Sequence, residues 1–201
     1  MSQKMFQKML ARLVIDPEFR ELVRSTGDVS LDAELTGLER RRLLALADDP
    51  GVTITKTLHK GFRLGKILSM LPLTCIVLGG KRLGRELNMF WRAYPSRSFY
   101  YIEEAVAFCN FLATRPNTMR VAYLGEIVAY ERARLELQRP RLGDSSSASQ
   151  EVSFNHDPQL LLTTLAQRQR PRRIPARPCT LTGTLESDGS IQWLIADIAA
   201  A

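Results

Sequence analysis

Ser187-Asp188-Gly189-Ser190 stands between two runs in which apolar residues alternate, and it constrains the end of this chain more than any other feature. In the first run, 179–186, Leu181, Gly183 and Leu185 alternate with Thr180, Thr182 and Thr184. In the second, 191–198, Ile191, Trp193 and Ile195 alternate with Gln192 and Leu194. Period-two alternation on both sides of an Asp-Gly pair predicts a β-hairpin. Upstream, Glu151-Val152-Ser153-Phe154-Asn155 reads as a further strand. After His156-Asp157-Pro158, the residues Leu160, Leu161, Thr164 and Leu165 form a helical stripe. The order is therefore strand, helix, strand, strand. Such a small sheet has a thin core and is expected to lean on the rest of the chain or on a partner.

Everything before residue 139 reads as helix. Phe6, Met9, Leu10, Leu13 and Val14 fall at helical spacing, and Asp16-Pro17 restarts the helix with a capping carboxylate and a first-turn proline. Gly27-Asp28 ends that segment. Thr36-Gly37-Leu38-Glu39 matches a capping box and opens a helix through Leu43, Leu44 and Ala47, which Asp49-Pro50-Gly51 closes. From Thr53 a longer helix carries Ile54, Leu58, Phe62 and Leu68 on one side. Pro72 stops that helix or begins the next, which runs through Leu73, Ile76, Val77, Leu83, Leu87, Phe90 and Trp91, with a break or kink expected at Gly79-Gly80. A helix over 99–114 turns Ile102, Ala105, Val106, Cys109 and Leu112 inward. Another, over 118–138, does the same with Leu124, Ile127, Val128 and Leu135.

The segment 139–150 is rich in Ser, Pro and Gly and lacks an apolar period, so it reads as a linker. The fold class expected is α+β: an all-helical domain over 1–138, the linker over 139–150, and a small antiparallel sheet domain over 151–201 with β-α-β-β order. The most hydrophobic run, 67–80, is too short to span a bilayer and contains Pro72, and the N-terminus lacks a signal-peptide core. A cytoplasmic protein without a membrane partner is expected.

Residues suited to binding outnumber those suited to catalysis. Cys75, Cys109 and Cys179 are far apart and form no metal or redox pair, and His59 and His156 are the only histidines, so a metal site built wholly from this chain is not expected. No nucleophile elbow, phosphate loop, dinucleotide motif or zinc-protease motif occurs, and Leu78-Gly79-Gly80-Lys81 lacks the Ser or Thr of a phosphate loop. Asp157 is expected to cap the helix begun by Pro158. An acid–base pair with His156 is the alternative. Arg168, Arg170, Arg172, Arg173 and Arg177 form either a solvated connector or a docking surface for carboxylates. The net charge of +7, from 28 Lys plus Arg against 21 Asp plus Glu, leaves a basic helical nucleic-acid-binding protein as the alternative function.

A free strand edge offers main-chain donors and acceptors to an extended peptide. The residues that would line this peptide site are Thr180, Leu181, Thr182, Gly183, Thr184, Leu185, Ile191, Gln192, Trp193, Leu194 and Ile195, with Leu161 and Leu165 from the helix beneath. The aromatic stretch Trp91, Arg92, Tyr94, Arg97, Tyr100 and Tyr101 is the expected face for a protein partner.

Two runs resemble a known family: Tyr100-Tyr101-Ile102-Glu103-Glu104-Ala105-Val106-Ala107-Phe108-Cys109-Asn110-Phe111-Leu112, and Tyr123-Leu124-Gly125-Glu126-Ile127-Val128-Ala129-Tyr130-Glu131. They are similar to the partner subunits that accompany TIM-barrel multinuclear iron oxidases in modified-peptide pathways. Val152-Ser153-Phe154-Asn155-His156-Asp157-Pro158 resembles that family's passage into its C-terminal sheet. Asp16-Pro17-Glu18-Phe19-Arg20 and the overall length are most similar to the methanobactin-biosynthesis branch. The resemblance implies a heterodimer with the iron-bearing barrel subunit, and no cofactor in this chain. It implies that the pair uses dioxygen to convert cysteines of a ribosomal precursor peptide into oxazolone-thioamide groups of a copper-chelating product. This chain would then be a non-catalytic subunit that binds the precursor's leader as an added strand.

Overall fold

Two compact units, 1–64 and 65–201, make up the chain. The computed structural model describes residues 2–29, 35–94, 100–139 and 149–197. The fold is α+β: helices throughout, then a three-stranded antiparallel sheet near the C-terminus.

In the first unit, α1 (Ser2–Ile15), α2 (Pro17–Thr26) and α3 (Gly37–Asp48) surround Met9, Leu13, Phe19, Val23, Val29, Leu35, Leu43 and Ala47, all buried. Their ends form as the sequence dictates. The Asp16 carboxylate accepts from the N–H groups of Glu18 and Phe19 at 3.1 and 3.0 Å, and Gly27 closes α2 with a left-handed φ of 63°. Thr36 and Glu39 complete the capping box reciprocally. Helix α4 (Pro50–Met70) begins earlier than expected, because Asp49 accepts from the Gly51 N–H and Pro50 fits a first helical position. Its expected apolar stripe faces outward: Ile54, Leu58, Phe62 and Leu68 are exposed, whereas Val52, Arg63, Lys66 and Ile67 are buried.

The boundary between the units falls within α4, whereas the sequence places the division at 139–150. Residues 140–148 of that expected linker lie outside the described residues, and Ser149 and Gln150 already belong to the first strand.

In the second unit, α5 (Pro72–Ala93), α6 (Tyr101–Ala113) and α8 (Leu124–Gln138) carry the helical core. Phe90 packs against Phe108 and Phe111 with ring centroids 5.1 and 5.5 Å apart. The inward positions read for α6 are buried or half-buried, and those read for α8 are buried. The expected helix from residue 118 is broken: a single turn, α7 (Pro116–Met119), precedes α8, and Tyr123 takes a left-handed φ of 65° between them. Non-glycine residues rarely adopt that conformation, so no sequence rule places the break there.

Polar groups inside this unit join its elements. Glu131 of α8, fully buried, accepts from the N–H groups of Leu73 and Thr74 at 2.9 and 2.8 Å, satisfying donors that the start of α5 leaves without helical partners. Arg134, one turn on, donates to the Met70 carbonyl at 2.6 Å. One face of α8 thus holds the α4–α5 junction at both backbone polarities. Lys66 and Glu104, both buried, form an ion pair at 3.5 Å.

The sheet follows the order β1-β2-β3, with β1 (Ser149–His156), β2 (Ala176–Leu185) and β3 (Ile191–Asp197). Val152 pairs with Leu181 and Leu181 with Ile195; Gly183 pairs with Trp193. Val152, Phe154, Cys179 and Leu181 are buried on the face covered by α8. Helix α9 (Pro158–Ala166) connects β1 to β2, capped by Asp157, whose carboxylate accepts from the Leu160 N–H at 3.0 Å.

Candidate functional site

The hairpin turn sets the polarity of the free edge. The Glu186 N–H donates to the Ser190 carbonyl at 2.8 Å, and Asp188 accepts from the Ser190 N–H at 2.8 Å. In an antiparallel ladder, hydrogen-bonded and non-hydrogen-bonded pairs alternate. Counting from the bonded Glu186–Ser190 pair, Gln192 and Leu194 turn their main-chain groups toward β2. Ile191, Trp193 and Ile195 turn theirs away from it. No described strand lies beyond β3.

The side chains along that edge form an apolar ledge. Leu194 is 61% exposed on one face and Ile195 41% exposed on the other. Trp193 is half-buried, its ring 4.9 Å from that of Tyr130, and it lies over Gly183. A Cβ on Gly183 would stand 2.6 Å from the indole, so glycine is what lets the ring close down on β2.

The residues predicted from sequence divide into three groups. Ile191, Gln192, Trp193, Leu194 and Ile195 form the edge strand itself. Thr180, Leu181, Thr182, Gly183, Thr184 and Leu185 belong to the central strand, whose backbone pairs on both sides. They offer side chains, and no free main-chain groups, to a ligand. Leu161 and Leu165 are fully buried in the core and reach no surface.

On the opposite edge, Ser153 and Asn155 of β1 border a cleft of about 420 Å³ whose other wall is formed by residues 119–126. His156 Nδ1 lies 2.7 Å from a Glu126 carboxylate oxygen, and the Tyr123 ring meets the imidazole edge-on at 4.8 Å. The partner of His156 is thus Glu126 from α8, a pairing over 30 residues of sequence that no local motif signals. Asp157 faces the helix it caps and Arg177.

The arginine group separates by role. Arg177 binds Asp197 through two contacts of 3.0 and 3.2 Å and reaches Asp157 at 3.5 Å, tying β2 to β3 and to the start of α9. Arg168 adopts a left-handed φ of 59° after α9. Arg170, Arg172 and Arg173 line a cleft of about 660 Å³ with Leu160 and Thr164.

Cys75, Cys109 and Cys179 are free thiols and buried. Burial, with Glu131 adding repulsion, pushes the Cys75 and Cys109 thiols up to about 12, and burial also raises that of Cys179. Thiols held protonated in this way are poor nucleophiles and poor ligands. Among the described residues, no group of three or more His, Cys, Asp or Glu is arranged to hold a metal ion. No helix among them is long and apolar enough to cross a membrane.

No family model matches the chain, and no curated protein matches it. The site therefore rests on its own geometry.

Apart from Trp91, the expected partner face is exposed where it is described. Tyr94, Tyr100 and Tyr101 are 48%, 74% and 41% exposed, Arg92 is exposed and Trp91 half-buried, at the end of α5 and the start of α6. Tyr94 also stacks on Phe90 at 5.3 Å, which anchors its ring to the core. Arg97 lies outside the described residues.

Proposed function

We propose that this chain is a peptide-recruiting subunit: it takes the leader of a ribosomal precursor peptide as a fourth strand against β3 and presents the precursor's cysteines to an iron-containing oxidase partner. The observation that carries this reading is the outer edge of β3. There the main-chain groups of Ile191, Trp193 and Ile195 point away from the sheet beside the exposed Leu194 and Ile195. Main-chain pairing supplies affinity for an extended peptide of any sequence, and side-chain positions on alternate faces supply selectivity. The resemblance of the α6 and α8 runs to partner subunits of TIM-barrel iron oxidases supports the identity of the partner. It supports a methanobactin-type product, with iron held by the partner and the complex working in the cytoplasm. The exposed tyrosines at the α5–α6 corner are the proposed docking face for the barrel.

Co-expression with a barrel-type iron oxidase subunit tests the assignment, using as substrate a Cys-containing precursor peptide of the methanobactin type. The expected result is a stable heterodimer that modifies the peptide's cysteines only when dioxygen and this chain are both present. A chain that stays monomeric and binds neither the barrel protein nor the leader contradicts it.

A further inference from the structure

Helix α5 is broken at Gly79, whose φ of 66° and ψ of 157° are non-helical. The break is filled from elsewhere in the chain. Arg170, beyond α9, donates through Nε to the Ile76 carbonyl at 3.2 Å, an acceptor that an unbroken helix would pair with the Gly80 N–H. Its guanidinium occupies the space a Gly79 Cβ would need. The positive φ calls for glycine at 79, and its missing side chain leaves room for the arginine seated against it.

Around this break lies a cleft of about 580 Å³ lined by Gly79, Gly80, Lys81, Arg82, Arg85 and Arg170 together with apolar residues. Four cations from two distant chain segments converge there, all exposed, and the lining contains no carboxylate. Glu86, next to Arg85 in the chain, is buried. It meets Arg85 at 3.4 Å and is shared with the Thr118 hydroxyl at 2.8 Å and Arg115 at 3.3 Å. Gly80 adds open floor, since a Cβ there would meet nothing within 4 Å.

We propose that this cleft binds a small phosphorylated ligand, held by Lys81, Arg82, Arg85 and Arg170 over Gly80. The Glu86 carboxylate, shared between Arg85 and Arg115, offsets little of the charge of four cations, which repel one another; a multivalent anion relieves that repulsion where a single carboxylate would leave most of it. Guanidinium forks match phosphoryl oxygens in pairs. The site is separate from the β3 edge, so it stands or falls independently of leader recruitment.

Isothermal titration of the full chain with sodium pyrophosphate at low salt is the test. The expected result is saturable binding that weakens as salt rises. It is roughly tenfold or more weaker in Arg82→Ala/Arg85→Ala and in Lys81→Ala, with circular dichroism unchanged. Arg24→Ala, on α2, leaves it unchanged. Absence of saturable binding at millimolar pyrophosphate overturns the proposal, as does equal affinity in the cleft variants. Citrate binding as tightly as pyrophosphate overturns the phosphoryl assignment. A short oligonucleotide that displaces pyrophosphate and binds more tightly through the same residues overturns the assignment to a small ligand.

Discussion

Glu131 shows how much one buried side chain does in this molecule. Its carboxylate accepts two main-chain N–H groups at the start of α5, and burial pushes its pKa up while those N–H groups and Arg134 pull it back. Replacing Glu131 by Ala leaves one buried and one half-buried donor without acceptors and is expected to cost roughly 2–4 kcal/mol, measured by denaturant unfolding. Glu131→Gln, which keeps one acceptor, should cost less. Asp157 is the pH-sensitive counterpart. The Leu160 N–H, with Arg177 in support, holds its carboxyl below the usual aspartate range. A folded pKa lower than the unfolded one means that its stabilisation is present above the ordinary aspartate value and lost as pH falls through the folded value. Asp157→Ala should therefore cost about 1 kcal/mol at neutral pH and progressively less in acid, read from unfolding midpoints across pH. At this scale the sequence was legible where the chemistry is local. Asp16, Thr36 and Asp157 cap the helices they precede. It was illegible where the partner is distant: nothing near His156 announces Glu126, and nothing near Leu73 announces Glu131.

Among the elements, the hairpin and the kink were both written in local glycines. Asp188-Gly189 forms the turn and Gly79 breaks α5, because each supplies a positive φ that other residues resist. What the glycine could not reveal is its neighbour: Arg170 at Gly79 and Trp193 over Gly183. The stripe on α4 misled for the opposite reason. Ile54, Leu58 and Phe62 repeat at helical spacing, but that period says only that the three share a side, not that the side is covered. The β3 ladder makes a sharper prediction. Leu194→Pro removes an N–H directed at β2 and should unfold the hairpin. Ile195→Pro removes one directed outward, which edge strands tolerate, and should leave the melting temperature nearly unchanged while weakening leader binding by roughly tenfold. Equal loss of stability in the two variants would show that the polarity assigned to this edge is mistaken.

For the whole molecule, the α+β class followed from patterning alone, since helical periods run to residue 138 and period-two alternation takes over near 151. The compact units did not. The sheet's apolar face, with Val152, Phe154 and Leu181, is buried against α8, so the sheet belongs with the helices from residue 65 onward. A composition shift at the 139–150 segment marks a change of secondary structure and does not by itself mark a boundary of packing. That arrangement supports the edge strand: β3 pairs with β2, β1 and β2 pack on α8, and Tyr130 of α8 meets Phe154 and Trp193. Leader recruitment requires that strand to accept another. Amide hydrogen exchange measured with and without a synthetic leader peptide of the methanobactin-precursor type tests it most directly. The prediction is that the N–H groups of Trp193 and Ile195 become protected when the leader is added, while those of Thr182 and Thr184, already inside the sheet, change little. Leader binding that leaves β3 unprotected, or that protects Ser153 and Asn155 on the opposite edge, would contradict the account.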